Sequence, residues 1–264
     1  MTEKSNKFAD LQTRILTAIA MAAVAGGALW LGGYWVVGLL SLAVVTMLLE
    51  FRYIILGKLS VMEPGLWVMV LTGAGSVFLT YRFGWIWALM AILAGCAALV
   101  QRNRAEWGWL AAGLAYIAIS MTLLQALATN VAGGFGLVIW VIAVVVAADI
   151  CAYFAGRTIG GPKLWPAISP KKTWSGVLGG WVGAALVGLV LGLFGNQTVQ
   201  ATVILSLILA VASQCGDLLE SWLKRRHNIK DSGFILPGHG GLLDRLDGLM
   251  AALLVHGLLL LLLK

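Results

Sequence analysis

The sequence predicts an all-α, polytopic integral membrane protein, a bundle of about nine transmembrane helices with a cytosolic N-terminus. The chain is 61% hydrophobic and only 11% charged, whereas a soluble domain has about 25% charged residues. Apolar runs of roughly 15 to 20 residues recur, each long enough to cross a hydrocarbon core of about 30 Å as a helix. These runs do not alternate apolar and polar residues as barrel strands do.

Nine apolar runs are expected to form the spans, because each has the length and composition of a membrane helix. The second run is short and follows Gly32 and Gly33, so a hairpin with the first run is an alternative to a full crossing. The runs cover about 15–31, 35–49, 65–81, 84–100, 107–128, 135–155, 174–194, 199–215 and 247–263.

The orientation follows from the basic residues. With the N-terminus inside and alternating sides, only Arg82 and Lys264 of the 18 basic residues fall outside. This asymmetry is typical of cytoplasmic loops. It also accounts for the formal net charge of +7, so we expect no nucleic-acid partner.

Polar residues are concentrated in the C-terminal half, in two inner loops at 156–173 and 216–246. We therefore divide the chain into two regions. Residues 1–140 are expected to be transmembrane spans that form a scaffold with dimer and lipid contacts, and residues 141–264 to be a transmembrane catalytic region with two cytosolic loops. A transporter with inverted repeats would place broken helices in both halves, which this distribution disfavours.

Asp149 is the first candidate site residue, since it lies inside the sixth apolar run. An ionisable group there costs at least about 2.5 kcal/mol and is expected to face a polar cavity or the bundle interior. Two interpretations stay open. Asp149 pairs with a basic residue such as Arg157, or it forms a wall of an active site.

The first inner loop combines glycines with basic residues. It is not a P-loop, because Pro162 stands where a lysine must follow the second glycine. We expect Ser169 and Thr173 to cap the seventh span, where a helix N-terminus favours an anion, and Lys171 and Lys172 to add positive charge. The alternative is a basic loop that contacts lipid head groups.

Residues 214–226 are the strongest candidate segment. If they are helical, four polar residues follow an i, i+3, i+4, i+7 pattern and share one face: Asp217, Glu220, Ser221 and Lys224. Such a face at the membrane boundary suits a divalent cation and a phosphate. A solvated helix end with i,i+4 pairs is the alternative.

Asp244 and Asp247 stand three residues apart at the start of the last span. They cap the helix in one interpretation, because acids are favoured at a helix N-terminus. In the other, they join Asp217 and Glu220 in an all-oxygen site for Mg²⁺, which prefers carboxylates together with substrate phosphates and water. No Cys/His spacing suits zinc, and His239 alone is expected to be structural or a hydrogen-bond donor.

Taken together, these motifs resemble the signature of the phosphatidate cytidylyltransferases, also called CDP-diacylglycerol synthases. The resemblance covers about residues 149–247 and includes D-x-x-A-Y-x-x-G-R, S-P-K-K and G-D-x-x-E-S. Its C-terminal part, S-x-x-K-R, K-D, P-G-H-G-G and D-R-x-D, stands here as Ser221, Lys224, Arg225, Lys230, Asp231, Pro237, Gly238, His239, Gly240, Gly241, Asp244, Arg245 and Asp247.

The resemblance implies transfer of the cytidylyl group of CTP to phosphatidic acid, which gives CDP-diacylglycerol and pyrophosphate in phospholipid biosynthesis. It also implies Mg²⁺, with a second cation left open, and a homodimer in membrane lipid. The chain is expected in a bacterial cell inner membrane, with its active site on the cytosolic side. The alternatives are another membrane phospholipid headgroup transferase, whose D-G-x-x-A-R run is absent, or a transporter.

Roles are then expected for individual residues. The metal centre is implied at Asp217 and Asp244, with Asp149, Glu220 and Asp247 as neighbours. The catalytic set is Asp217, Asp244, Lys224, His239 and Arg245. The substrate-binding set is Lys171, Lys172, Ser169, Arg157, Ser221, Arg225, Lys230, Gly240 and Gly241.

Overall fold

A computed structural model describes residues 17, 19–57, 63–101, 105–130, 134–195, 197–233 and 240–262. In this part of the chain, nine α-helices and one short β-hairpin are present. The helices are α1 (Ile19–Leu31), α2 (Gly33–Leu56), α3 (Pro64–Phe83), α4 (Trp85–Val100), α5 (Ala105–Asn130), α6 (Gly134–Thr158), α7 (Trp174–Phe194), α8 (Val199–Arg226) and α9 (Leu243–Leu262). The hairpin strands β1 (Lys163–Trp165) and β2 (Ser169–Thr173) lie between α6 and α7.

Seven of these helices are long and apolar enough to cross a membrane by length and composition, while α1 and α4 are shorter. The predicted polytopic helical membrane fold is therefore confirmed. The count of nine spans and the cytosolic N-terminus stay predictions.

The helix ends agree with the sequence in places and differ in others. The predicted span 174–194 coincides with α7. In contrast, α2 continues to Leu56 instead of ending near residue 49. Helix α8 continues beyond the predicted span 199–215 through the candidate segment 214–226 and ends at Arg226. The second run is thus a full-length helix, because its polar residues Glu50 and Arg52 are buried within it and find partners elsewhere.

The hairpin is an addition to the predicted all-helical fold within the first inner loop. Strand β1 pairs antiparallel with β2, with Lys163 opposite Thr173. The chain turns from α6 into β1 through Gly160 and Gly161, whose φ angles are 67° and 101°. Glycine adopts this left-handed backbone without a steric penalty, so these glycines make the turn.

The chain divides into two compact units. The first comprises Met1–Ala132 and Ile229–Arg245, and the second comprises Gly133–Asn228 and Leu246–Lys264. The predicted boundary at residue 140 rested on the distribution of charge, not on compactness, and it stays a prediction.

In the first unit, α2 packs against α3 and α5, and α4 packs against α3 and α5. The close approach of α2 and α3 depends on Gly73. A Cβ atom at this position would lie 2.6 Å from a methyl group of Leu48 and 2.8 Å from one of Val44. Small residues at such contacts are typical of helix pairs in membranes.

In the second unit, α7 packs against both α6 and α8. A Cβ atom at Gly183 of α7 would lie 2.7 Å from the carbonyl oxygen of Ala147 on α6. A Cβ atom at Gly216 of α8 would lie 2.6 Å from the carbonyl oxygen of Asp247 on α9. These close backbone contacts bring acidic residues of α6, α8 and α9 near one another.

Candidate active site

The polar face predicted for residues 214–226 is formed by the C-terminal part of α8. Here the hydroxyl of Ser221 donates to Oδ1 of Asp217 at 3.3 Å. One turn on, Nζ of Lys224 lies 3.1 Å from Oε1 of Glu220, and these side chains are only 13% and 7% exposed. The predicted helical face is therefore confirmed. Both contacts join residues four apart, as the alternative also expected, but Glu220 and Lys224 are largely buried instead of solvated.

Lys172 connects the first inner loop to this face. Its Nζ atom lies 2.5 Å from Oδ2 of Asp217, and both side chains are partly exposed. The ion pair therefore joins the S-P-K-K segment at the end of β2 to the G-D-x-x-E-S segment of α8. Lys171, the preceding residue, is exposed.

The position of Lys172 depends on the residue that follows it. Thr173 is buried, and its Oγ1 accepts a hydrogen bond from the Gly176 amide at 3.1 Å, which caps α7. Ser169 lies at the start of β2, away from the helix end. The capping prediction is thus right for Thr173 and wrong for Ser169, because the hairpin separates Ser169 from the helix.

Three carboxylates of the second unit form one acidic cluster: Asp149 on α6, Asp217 on α8 and Asp247 on α9. Each of them interacts electrostatically with the other two. Lys172 acts on Asp149, and Lys224 acts on Asp247. Two lysine ammonium groups and three carboxylates thus belong to one electrostatically coupled group.

Asp149 and Arg157 have different partners in the structure. Arg157 donates from Nη1 to the hydroxyl of Tyr153 at 2.9 Å, and its guanidinium lies over the Tyr153 ring. The charges that act on Asp149 are those of Asp217 and Lys172. The structure therefore supports Asp149 as a member of the acidic cluster and not as the partner of Arg157.

Asp244 belongs to the first unit, where it organises the second inner loop. Its Oδ2 accepts hydrogen bonds from the amides of Ser232 at 3.0 Å and Gly241 at 3.1 Å. Both amides precede α9, so these bonds order the segment before the helix, and the capping interpretation stays a prediction. Because Asp217 lies in the other unit, a metal shared by Asp217 and Asp244 stays a prediction.

Glu50 is a functional candidate that the sequence analysis missed. It lies on α2 with 3% of its surface exposed. Its Oε1 accepts from the Leu242 amide at 3.0 Å and its Oε2 from the Leu243 amide at 2.8 Å. The available signal was the one used for Asp149, a carboxylate at the end of an apolar run that must find partners inside the protein.

The remaining predicted residues are placed as follows. Gly240 has a φ of 80°, and Gly241 is buried. His239, Pro237 and Gly238 lie outside the described residues, so their predicted roles are not tested. Four exposed basic residues keep their substrate-binding roles as predictions: Arg157, Arg225, Lys230 and Arg245.

Comparison with known proteins supports the resemblance drawn from these motifs. A family model described as the cytidylyltransferase family matches residues 12–263. The chain belongs to this family. It is therefore a nucleotidyltransferase, and the family match extends over the N-terminal spans that the motif resemblance did not cover.

Curated relatives of this cytidylyltransferase carry a more specific name. The phosphatidate cytidylyltransferase of Brucella suis biovar 1 (strain 1330) is 40% identical over 261 residues, which cover 92% of this chain and 90% of the relative. That of Rickettsia bellii (strain RML369-C) is 40% identical over 54% of this chain and 64% of its own length. That of Haemophilus influenzae is 43% identical over 45% of this chain and 43% of its own length.

The acidic cluster consists of carboxylates, which are the side-chain donors that a magnesium ion takes. Within the described residues, no three His, Cys, Asp or Glu side chains are arranged to hold a metal by themselves. Mg²⁺ usually takes only one or two carboxylates and completes its shell with water and substrate phosphates. One or two of the carboxylates of Asp149, Asp217 and Asp247 would supply donors of this kind.

Proposed function

We propose that the chain transfers the cytidylyl group of CTP to phosphatidic acid, which gives CDP-diacylglycerol and pyrophosphate. The ion pair between Lys172 and Asp217 carries this proposal. It places a cation that can hold phosphate beside the acidic cluster. The printed names of the similar proteins from Brucella, Rickettsia and Haemophilus support the choice of phosphatidic acid as the acceptor.

The reaction needs screening of charge more than it needs a base. A phosphate oxygen of phosphatidic acid forms a bond to the α-phosphorus of CTP. The bond from that phosphorus to the bridging oxygen breaks, and pyrophosphate leaves with its electron pair. The lipid phosphate is already an anionic nucleophile at neutral pH, so the main barrier is repulsion between two anions and their alignment.

Lysines of the second unit would reduce this repulsion. An ammonium group has three donors, so Lys172 can keep Asp217 and still donate to a phosphate oxygen. Lys171 is the adjacent exposed cation. Lys224 is held on α8 by Glu220, from where it acts on Asp247. These cations would orient the nucleotide phosphates and stabilise the charge of the leaving pyrophosphate.

Asp149, Asp217 and Asp247 would hold Mg²⁺. When bound, the ion neutralises charge on phosphate oxygens and so lowers the repulsion between the substrates. Glu220 and Asp244 remain ligand candidates on the family resemblance, and a second cation is compatible with the number of carboxylates. His239 and Arg245 remain candidates for phosphate contacts.

We propose nine spans with a cytosolic N-terminus, in a bacterial inner membrane. The distribution of 18 basic residues supports this orientation, and the similar proteins come from bacteria. Phosphatidic acid stays in the bilayer and CTP is cytosolic, so the site would open at the inner interface. A homodimer is proposed from the family resemblance.

The reaction can be tested with purified full-length protein in detergent. Incubation with phosphatidic acid, Mg²⁺ and CTP labelled in the cytidine should give one labelled liponucleotide for each pyrophosphate released. Absence of this product across several detergents and divalent metals would overturn the proposal. Solute flux in liposomes without nucleotide consumption would instead favour a transporter.

A further inference from the structure

We propose that Glu50 is a positioning residue for the reaction. From α2 it fixes the backbone at the start of α9, so that Gly241, Asp244 and Arg245 are held in place. This inference rests on the proposed function, because it assigns Glu50 a role through residues expected to act on the substrates. Glu50 itself would not touch them.

The first support is the geometry of the contact. Both oxygens of Glu50 are used, one by the amide of Leu242 and one by the amide of Leu243. The first amides of a helix have no partner within the helix and carry partial positive charge. A carboxylate that accepts from two consecutive amides makes charge-assisted bonds and sets the direction in which the helix begins.

The second support is the shape of the loop around the carboxylate. A Cβ atom at Gly233 would lie 2.8 Å from Oε1 of Glu50. One at Gly241 would lie 2.8 Å from Oε2 and closer still to Oγ of Ser232. Real Cβ atoms do not approach oxygen so closely. Two glycines thus leave the space that Glu50 fills, and the loop is built around this side chain.

The third support is that Glu50 and Asp244 bind neighbouring amides of one segment. The Gly241 amide donates to Asp244, and the next two amides donate to Glu50. Asp244 also accepts from the Ser232 amide. A change at Glu50 therefore alters the backbone that presents Asp244, although Glu50 is distant in the sequence.

A side chain close to α9 in the sequence could accept hydrogen bonds from the first amides of this helix. Such a cap would avoid placing a carboxylate in the apolar helix α2, where that group is costly. The use of Glu50 instead connects α2 to the segment with the D-R-x-D motif. If this connection only stabilised the fold, its loss would lower the amount of folded enzyme. If it positions Asp244 and Arg245, its loss lowers the turnover of each folded molecule.

The test compares Glu50→Gln with wild type in the full-length protein. Glutamine keeps the size of the side chain but replaces one acceptor oxygen with an NH₂ donor. Hydrogen–deuterium exchange at the Leu242 and Leu243 amides should become roughly tenfold faster or more. The kcat per folded enzyme should fall by about tenfold or more, with the KM for CTP within about twofold.

Two further variants separate the roles. Glu50→Asp keeps two acceptor oxygens and should recover part of the kcat lost in Glu50→Gln. Glu106→Gln, an exposed glutamate at the start of α5, should match wild type in both measurements. If Glu50→Gln fails to fold, Gly233→Ala provides the same test, because its methyl group displaces the Glu50 carboxylate.

The outcomes are distinguishable. Amide exchange at residues 242 and 243 that is as slow as in wild type, in both Glu50→Gln and Gly233→Ala, would overturn the inference. So would faster exchange with an unchanged kcat. If the wild-type protein makes no liponucleotide, the proposed function fails, while the exchange result still decides whether Glu50 holds this segment.

Discussion

Lys172 and Asp217 form an ion pair, with 2.5 Å between Nζ and Oδ2, although the whole of α7 separates them in the sequence. Lys172 is the last residue before Thr173, which caps α7. Asp217 lies on α8, which packs against α7. Because the cap and the helix contact fix both ends of the pair, the hairpin holds the ammonium group of Lys172 against the acidic cluster.

This relationship predicts that Lys172→Ala impairs the reaction. Removal of the ammonium leaves Asp217 without this ion pair and the proposed phosphate site with one donor fewer, so we expect kcat/KM for CTP to fall by about 100-fold. Steady-state kinetics of liponucleotide formation would measure this.

Lys163→Ala is the matched control for Lys172→Ala, because Lys163 is an exposed lysine on the other strand of the same hairpin. It should stay within about twofold of wild type, as expected for a surface substitution. Equal losses in the two variants would indicate that only the total charge of the hairpin matters, against the specific role of Lys172.

Asp217→Asn tests the acidic cluster. The substitution keeps the size of the side chain but removes the charge that pairs with Lys172 and that would hold Mg²⁺. We expect turnover to fall by at least about 100-fold, together with a higher Mg²⁺ concentration for half-maximal rate. The protein should keep its helix content and elute as one species in detergent.

Glu106→Gln serves again as the control for Asp217→Asn, since it removes an exposed carboxylate outside the cluster. Near-wild-type turnover of purified Asp217→Asn would contradict the role of Asp217. The same substitution at Asp244 should also lower turnover strongly, and in that variant faster amide exchange at Ser232 and Gly241 should accompany the loss.

Elements that depend on local interactions could be predicted from the sequence, whereas elements that depend on contacts between distant residues could not. The bounds of α7 and the helical face from Asp217 to Lys224 follow from local periodicity and capping, and the structure confirms both. The C-terminal part of α2 was not predicted, because Glu50 and Arg52 marked the end of an apolar run. Their partners, the amides of Leu242 and Leu243 and the carboxylate of Glu63, could not be paired with them from the sequence alone.

The candidate site shows the same difference between local and long-range interactions. The roles of the motif acids and bases stay predictions, although three of the predicted metal-site residues, Asp149, Asp217 and Asp247, lie within one unit. The ion pair of Lys172 with Asp217 was not foreseen, since it depends on the hairpin and on the packing of α7 against α8. Short strands such as β1 and β2 carry little periodicity, so the hairpin itself had no clear sequence signal.

Thr173→Val tests the cap that positions Lys172. Valine has a similar shape but offers no oxygen to the Gly176 amide, which lies 3.1 Å from Oγ1. We expect a loss of about 1 kcal/mol in the free energy of unfolding and a lower kcat/KM, measured by thermal unfolding in detergent and by kinetics.

Thr173→Ser keeps the accepting oxygen and should restore most of the stability and activity. Thr198→Ala removes the corresponding cap of α8, where the exposed contact to the Ala201 amide is 3.4 Å, and should leave kcat/KM unchanged. If Thr173→Val and Thr173→Ser behaved alike, the hydroxyl would have no role in holding the hairpin.

Gly183→Ala tests whether the close packing of α6 against α7 is required. The added methyl group would lie 2.7 Å from the carbonyl oxygen of Ala147 and 2.7 Å from Sγ of Cys151. Since a helix backbone cannot move locally, the two helices must separate, and overpacking of this kind costs about 1–3 kcal/mol.

Gly136→Ala on α6 is the matched control, because no described atom beyond its chain neighbours and its own helix backbone lies within 4 Å of the added methyl group. The control should be neutral or slightly stabilising, since it only reduces the entropy of the unfolded chain. Equal unfolding midpoints for the two variants in detergent would contradict this account. A lower midpoint for Gly183→Ala alone, with a reduced kcat, would link the α6–α7 contact to the placement of Asp149 in the acidic cluster.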